Sequence, residues 1–135
     1  YETKKDLQNE KLFTQKYIKQ YDFYKLPISY RLDFAACRKG SKEILGWVEF
    51  KRRHHKFGKY DTALFSLGKI LQGIHMSETT GLPFFIAVMW DDELRWMKVN
   101  MSNATILWGL RTKNTRDRAD IEPAAHFSIE HFVRF

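Results

Sequence analysis

The sequence predicts an α/β or α+β fold, in which helices pack against hairpin-paired strands in the order α-β-β-α-β-β, followed by a tail. Three observations predict it. Apolar residues recur at helical spacing near the N-terminus, two segments on either side of a turn show the two-residue alternation of β-strands, and a second stretch of helical spacing is followed by an apolar run. The chain has 135 residues, of which 44% are apolar and 16% aromatic. This is enough for one hydrophobic core and too little for two, so we expect a single domain over residues 1–135 without extended disorder.

The first predicted helix covers about residues 3–21, where apolar side chains recur at helical spacing and lysines cover much of the remaining surface. We expect it to end before Pro27, because the residue that precedes a proline avoids the helical conformation. Its apolar stripe consists of Leu7, Phe13, Tyr17 and Tyr21.

Two strand-like segments, residues 30–37 and 44–51, form the first predicted hairpin. In the first segment Leu32, Phe34 and Ala36 occupy alternate positions, and residues 38–42 have the composition of a turn. The alternation of the second segment places Ile44, Val48 and Phe50 on one face and Leu45, Trp47, Glu49 and Lys51 on the other.

The second predicted helix covers about residues 62–78 and is closed by Gly81 and Pro83. Both of its flanks are expected to meet protein or ligand, because each carries large side chains. One flank consists of Leu64, Leu67, Leu71, Ile74 and His75, and the other of Phe65, Lys69, Gln72 and Met76.

The remaining elements follow in order along the chain. A buried strand over 84–90, a turn at Asp91 and Asp92, and a strand over 94–99 predict a second hairpin. The tail predicts a polar loop over 111–120, a short apolar run over 124–127, and a final helical turn capped by Ser128 and ending at Phe135.

Composition limits the partners and the cellular setting. Lysine and arginine total 23 against 16 acidic residues, a net charge of +7, which favours a polyanionic partner and nucleic acid first. The single cysteine, Cys37, excludes an internal disulfide framework and a Cys-rich zinc module, and it fits a reducing, cytoplasmic setting. The longest apolar run, residues 82–90, is about half a membrane span, so no membrane partner is expected.

Asp33, Glu49 and Lys51 are the residues that suggest chemistry. Glu49 and Lys51 lie two positions apart on one strand, so their side chains emerge on the same face about 7 Å apart. Folding the hairpin places Asp33 opposite Trp47 or Glu49, which brings two carboxylates together. Because like charges across strands destabilise a sheet, we expect a divalent cation, Mg²⁺ with Mn²⁺ as a substitute, to offset the repulsion. Lys51 beside it could orient a water or neutralise charge on a phosphate.

This pattern, Asp33 followed by fifteen residues and then Glu49-Phe50-Lys51, resembles the PD-(D/E)XK nuclease superfamily of restriction endonucleases, Holliday junction resolvases and phage exonucleases. The resemblance covers about residues 5–100, with Leu32 in place of the usual proline. It implies a restriction endonuclease-like α/β core, a central mixed sheet flanked by helices in αβββαβ order. It also implies that Asp33 and Glu49 bind Mg²⁺ and that Lys51 assists the attacking water.

The resemblance extends to residues outside this hairpin. Many members carry a glutamate on the first helix that reaches the metal, and Glu10 is the match. It lies within the apolar stripe, an unusual place for a carboxylate unless a cation or donor awaits it, although a glutamate that reaches solvent from the helix boundary is an equal alternative. Lys69 and Gln72 match the lysine or glutamine that several members place near the scissile phosphate.

The basic run over residues 51–59 starts at the candidate site and predicts phosphate contacts. The predicted nucleic-acid contacts are Arg52, Arg53, His54, Lys56, Lys59, Lys69 and Gln72, with residues 111–118 as a further basic segment. We expect Mg²⁺-dependent hydrolysis of DNA phosphodiester bonds, structure-selective as in Holliday junction resolvases, in a phage or bacterial protein. A homodimer is expected, because paired cuts on two strands need two active sites.

Three alternatives remain open at this point. Glu49 and Lys51 could form an ordinary ion pair on a solvated sheet face. The chain could be a non-catalytic nucleic-acid-binding module with the same fold, whose DNA affinity needs neither metal nor carboxylates. It could also be a protein-interaction domain with incidental charge, which would show no salt-dependent DNA binding.

Overall fold

The computed structural model describes residues 4–17, 20–110 and 121–134. Within these residues, three short 3₁₀ turns lie between or after the helices and strands, at Ile28–Tyr30, Met101–Asn103 and Ile129–His131. The elements are α1 (Lys4–Tyr17), β1 (Tyr21–Lys25), β2 (Phe34–Arg38), β3 (Ile44–Arg52), β4 (Thr62–Ser66), α2 (Leu67–Thr80), β5 (Phe84–Met89), β6 (Leu94–Lys98), β7 (Ala104–Leu110) and β8 (Ile121–Ser128).

The central sheet is mixed and has the strand order β1-β2-β3-β5-β6. Its neighbours pair antiparallel except β3 and β5, which run parallel with Glu49 opposite Ile86 and Lys51 opposite Val88. A parallel pair needs a crossover connection, and α2 lies in it. A second sheet has the order β4-β8-β7. The expected central mixed sheet flanked by helices is confirmed.

Two hydrophobic clusters cover the two faces of the central sheet. Phe13 of α1 packs on one face against Phe34, Val48 and Phe50. On the other face Trp47 packs with Ile70 of α2 and with side chains of the smaller sheet. Glu49 and Lys51 alternate with Val48 and Phe50 along β3, so they emerge on the face that α2 covers.

The first helix is shorter than predicted, and a strand follows it. Residues 21–25 belong to β1, which pairs antiparallel with β2 from Tyr21 opposite Arg38 to Lys25 opposite Phe34. Aromatic residues at Tyr21, Phe23 and Tyr24 favour a strand, and this pairing outweighs the helical period. Of the predicted stripe, Phe13 is buried, Leu7 is half exposed, and the side chain of Tyr17 lies outside the described part of the chain.

The predicted start of the second helix is wrong. Residues 62–66 form β4, in which Ala63 and Phe65 are buried while Leu64 is exposed, and α2 begins at Leu67. The strand pairs with β8, about sixty residues away in sequence, so its partner could not be predicted locally. The face of α2 that packs inward carries Ile70 and Gly73 rather than Leu71.

The first hairpin is confirmed, with a register shift that the sequence did not predict. Its first strand begins at Phe34 instead of residue 30, and pairing passes from Ala36–Gly46 to Cys37–Ile44. Leu45 therefore has no partner in the ladder. As a result Ile44 packs with the α2-side cluster, not with Val48 and Phe50 as predicted.

The second hairpin and the end of α2 are confirmed. Phe85 to Met89 of β5 pair antiparallel with Lys98 to Leu94 of β6. Gly81 follows α2 in the left-handed conformation, with φ of 75°, and its N–H donates to the Ser77 carbonyl. Neither α1 nor α2, the two α-helices of the described residues, could serve as a membrane span.

The tail differs most from the prediction. Residues 104–110 form β7, which was not predicted, and β8 extends over Ile121–Ser128. Ser128 precedes the 3₁₀ turn Ile129–His131 but makes no side-chain capping hydrogen bond, so its predicted capping role is wrong. The predicted loop over 111–120 and Phe135 lie outside the described residues.

Candidate active site

Strand β3 carries Glu49 and Lys51 to the same face of the central sheet. The Lys51 ammonium lies 3.6 Å from Oε2 of Glu49. The Glu49 side chain is 4% exposed and that of Lys51 is 34% exposed. The carboxylate is therefore buried, and the ammonium lies nearer to solvent. The spacing of two positions on one strand puts both side chains on one face, as the sequence predicted.

Asp33 joins the pair from the residue just before β2. Its carbonyl accepts a hydrogen bond of 2.9 Å from the Leu26 N–H, and its Oδ2 accepts one of 2.8 Å from the Phe50 N–H. Because Phe50 lies between Glu49 and Lys51, the backbone of β3 orients the Asp33 carboxylate. The structure therefore brings Asp33, Glu49 and Lys51 together, and they line one cavity of about 740 Å³.

Burial, followed by the nearby negative charge of Asp33, raises the pKa of Glu49 to about 7. Lys51 and Lys69 act in the opposite direction, the latter with its ammonium 4.0 Å from Oε2. Oε1 of Glu49 is buried and has no hydrogen-bond partner among the described residues. A buried, unpartnered carboxylate oxygen beside a second carboxylate is an arrangement that a cation would stabilise.

The donor set fits Mg²⁺. This ion takes one or two carboxylates and completes its octahedral shell with water and phosphate oxygens, and Asp33 with Glu49 offers two carboxylates on the wall of an open cavity. Within residues 4–17, 20–110 and 121–134 no group of three or more His, Cys, Asp or Glu side chains could hold a metal together. A site built from protein ligands alone, as for structural zinc, is therefore not formed there.

Glu10 lies at the same cavity but is paired with a lysine that the sequence did not single out. The Lys25 ammonium, from the end of β1, lies 2.7 Å from Oε1 of Glu10 and 3.5 Å from Oδ1 of Asp33. Lys25 was missed because residues 21–25 were assigned to a helix and its end. The aromatic alternation of β1 was the signal that could have placed it beside Asp33.

Lys69 and Gln72 reach the turn that leads into Asp33. The Lys69 ammonium donates to the Arg31 carbonyl at 3.0 Å, and the Gln72 amide donates to the Tyr30 carbonyl at 3.3 Å. Arg31 has a φ of +60°, an uncommon conformation for a residue with a side chain. The N-terminal part of α2 thus holds the turn at Tyr30 and Arg31 in place through these two hydrogen bonds. Lys69 also lines the cavity.

The basic residues that follow Lys51 divide into two groups. The Arg52 guanidinium donates to the carbonyls of Arg53 and Met89 and pairs with Asp91 at 2.7 Å. Arg53 donates to the Leu64 carbonyl at 2.9 Å and stacks over the Phe65 ring. These two arginines therefore carry intramolecular contacts while lining the cavity with His54.

The other two predicted contacts lie farther along the loop. Lys56 is exposed, and the Lys59 ammonium lies 5.4 Å from the centre of the Tyr60 ring. Neither lies on the cavity wall. Their contact with nucleic acid stays a prediction, as it does for Arg52, Arg53 and His54.

Comparisons with known proteins place this geometry in a wider context. A family model described as "Phage putative PDDEXK endonuclease" matches residues 1–135. No curated protein sequence matches the chain. Among solved structures, the Holliday junction resolvase Hjc from the archaeal hyperthermophile Archaeoglobus fulgidus superposes with a TM-score of 0.59. The two chains are 13% identical, and the alignment covers 94% of this chain and 88% of Hjc. That likeness establishes a restriction endonuclease-like fold.

Proposed function

Because this chain belongs to the phage PDDEXK endonuclease family, we propose that it is a Mg²⁺-dependent deoxyribonuclease that hydrolyses phosphodiester bonds, with four-way-junction DNA as the candidate substrate. One observation carries the proposal. The Asp33 and Glu49 carboxylates, which come from two segments of the chain, line one cavity together with the Lys51 ammonium. Neither an ordinary surface ion pair nor a packing role accounts for the buried, unpartnered Oε1 of Glu49.

In this proposal Asp33 and Glu49 hold the ion. When bound, a divalent ion lowers the pKa of water and neutralises charge on a phosphoryl group in transfer. The backbone N–H of Phe50 keeps the Asp33 carboxylate turned toward Glu49. Oε1 of Glu49 supplies an oxygen that has no competing hydrogen bond among the described residues. Glu10, which the family resemblance matches to a glutamate that reaches the metal, is paired with Lys25.

Lys51 is proposed to act on the phosphate or on the attacking water. Its ammonium is a third exposed and lies beside Glu49 without being buried with it. From there it can donate a hydrogen bond to a water aligned for attack, or to a phosphate oxygen whose negative charge grows as the bond breaks. An apolar side chain of the same length would provide neither interaction.

The charge of the chain supports DNA as the substrate. The net charge is +7, and cationic side chains from β3, α2 and the turn at Arg31 line the cavity. Neutralising several phosphates releases counterions, so we expect affinity to fall steeply with salt. The shared fold with an archaeal resolvase supports a junction substrate, and paired cuts on such a substrate would need a homodimer.

A cleavage assay tests the proposal. Supercoiled, linear and four-way-junction DNA are incubated with the wild type, Asp33→Asn and Lys51→Ala, each with Mg²⁺ and with EDTA. We expect cutting that needs Mg²⁺, is lost in both variants and is fastest on the junction. If the wild type binds DNA with a steep salt dependence but does not cut with Mg²⁺, the non-catalytic binding module is the better description.

A further inference from the structure

Lys25 lies where two of the cavity's three carboxylates meet. Its ammonium bridges Glu10 of α1 and Asp33 before β2, at 2.7 and 3.5 Å. It also lies 5.3 Å from the centre of the Phe34 ring, which is opposite Lys25 in the β1–β2 ladder. The position of this cation is therefore set by two carboxylates, an aromatic ring and the strand register.

We propose that the Lys25 ammonium takes the place of a second divalent cation, so that the protein binds a single ion at Asp33 and Glu49. Glu10 is then a positioning residue that acts through Lys25 rather than a metal ligand. This inference rests on the proposed function, because it specifies the ion content of the same site.

The charges around the cavity support one ion and not two. Three carboxylates, those of Glu10, Asp33 and Glu49, pair with three ammonium groups, those of Lys25, Lys51 and Lys69. One divalent ion would give these six side chains a net charge of +2, which suits a phosphodiester. Further positive charge comes from the other cationic side chains that line the cavity, those of Lys5, Arg31, Arg52 and Arg53. A second ion between Glu10 and Asp33 would lie within a few ångströms of the Lys25 ammonium, where like charges repel strongly.

Burial also opposes the displacement of Lys25 by an ion. The Glu10 side chain is 11% exposed, and its 2.7 Å contact with Lys25 has the length of a strong charge-assisted hydrogen bond. If the lysine moved away, the largely buried Glu10 carboxylate would lose the positive charge of Lys25, and another cation would have to replace that charge. Asp33 still has lone pairs for an ion, because each carboxylate oxygen accepts more than one interaction.

Mn²⁺ binding to metal-free protein tests the inference by calorimetry, with the stoichiometry as the readout. We expect the wild type to bind one ion and Asp33→Asn to bind none. Glu10→Gln should still bind one ion, with an affinity at most about 100-fold weaker, as for a residue outside the ligand shell. Lys25→Ala should gain a second ion, while Lys25→Arg, which keeps the positive charge, should stay at one.

Each of the remaining outcomes would overturn either the role of Lys25 or the proposed function. Two ions in the wild type, or one ion in a folded Lys25→Ala, would overturn the role of Lys25 and leave the nuclease proposal intact. If Lys25→Ala does not fold, the Glu10→Gln variant decides. A loss of Mn²⁺ binding in Glu10→Gln as complete as in Asp33→Asn would make Glu10 a metal ligand and would overturn the inference. No ion in the wild type would instead overturn the proposed function.

Discussion

The backbone N–H of Phe50 donates a 2.8 Å hydrogen bond to Oδ2 of Asp33. Through this bond, the strand that carries Glu49 and Lys51 also orients the carboxylate of a residue seventeen positions earlier in the chain. The three side chains are consequently positioned by one rigid element, the central strand of a five-stranded sheet.

Asp33→Asn should abolish stabilisation by metal while leaving the fold intact. An asparagine oxygen can still accept from Phe50, but the charge that holds the ion is gone. At a concentration about 100 times its dissociation constant, Mn²⁺ should add about 2.7 kcal/mol to the unfolding free energy of the wild type. Thermal unfolding with and without Mn²⁺ measures the shift, which we expect to vanish in the variant.

Asp22→Asn is the matched control for this change. Asp22 also accepts a backbone hydrogen bond, from the Gly40 N–H at 2.8 Å, and pairs with Lys39 at 3.0 Å. It lies on β1 but does not line the active-site cavity. The Mn²⁺ shift should persist in Asp22→Asn. An equal shift in both variants would mean that the ion binds elsewhere.

The contacts from α2 to the turn before Asp33 should contribute to stability. Lys69→Met and Gln72→Met remove the donors to the Arg31 and Tyr30 carbonyls but keep the length of the side chains. Because these bonds are partly solvated, each loss should lower the unfolding free energy by about 0.5–1 kcal/mol. Urea unfolding measures it, with the exposed Lys42→Met as the control. Wild-type stability in both variants would contradict this role.

Two glycines of α2 should respond to alanine in opposite directions. A Cβ at Gly73 would lie 2.2 Å from ring carbons of Phe84, whereas one at Gly68 would meet its nearest atom at 3.7 Å. We expect Gly73→Ala to lower the unfolding free energy by about 1–3 kcal/mol through overpacking. Gly68→Ala should raise it by up to about 1 kcal/mol through helix propensity. The same urea measurement checks both, and a stabilising Gly73→Ala would refute the contact.

Glu93 should make stability fall in acid. Its carboxylate pairs with Arg134 at 2.7 Å and with Arg95 at 3.2 Å, which lowers its pKa from 4.5 to about 2. A carboxylate with a depressed pKa in the folded state stabilises it fully above the unfolded value and loses this contribution as the pH falls through the folded value. The advantage of the wild type over Glu93→Gln should therefore shrink between about pH 4.5 and pH 2.

Urea midpoints across this pH range measure the advantage. Arg134→Met removes the same ion pair from the other side, so its stability should also depend less on pH than that of the wild type. A difference between wild type and Glu93→Gln that stays constant from pH 6 to pH 2.5 would contradict the assignment.

The sequence predicted the parts of the site that depend on short-range spacing. Alternation along one strand placed Glu49 and Lys51 on one face, and a short turn brought Asp33 near them. The structure adds the strands whose formation depends on pairing with another strand elsewhere in the chain. Residues 21–25 became a strand because β2 offered a partner, and residues 62–66 became one because β8 did. The position of Lys25 followed from the first of these pairings, so it could not be predicted from a helical period.

A crystal structure with Mn²⁺, located by its anomalous scattering, is the most direct test of where the ion sits. We predict one peak, about 2.1 Å from an oxygen of Asp33 and from an oxygen of Glu49, with the amine of residue 51 alongside. Density for the ion at any other place, or acid groups at positions 33 and 49 that turn away from each other, would contradict the shared metal site.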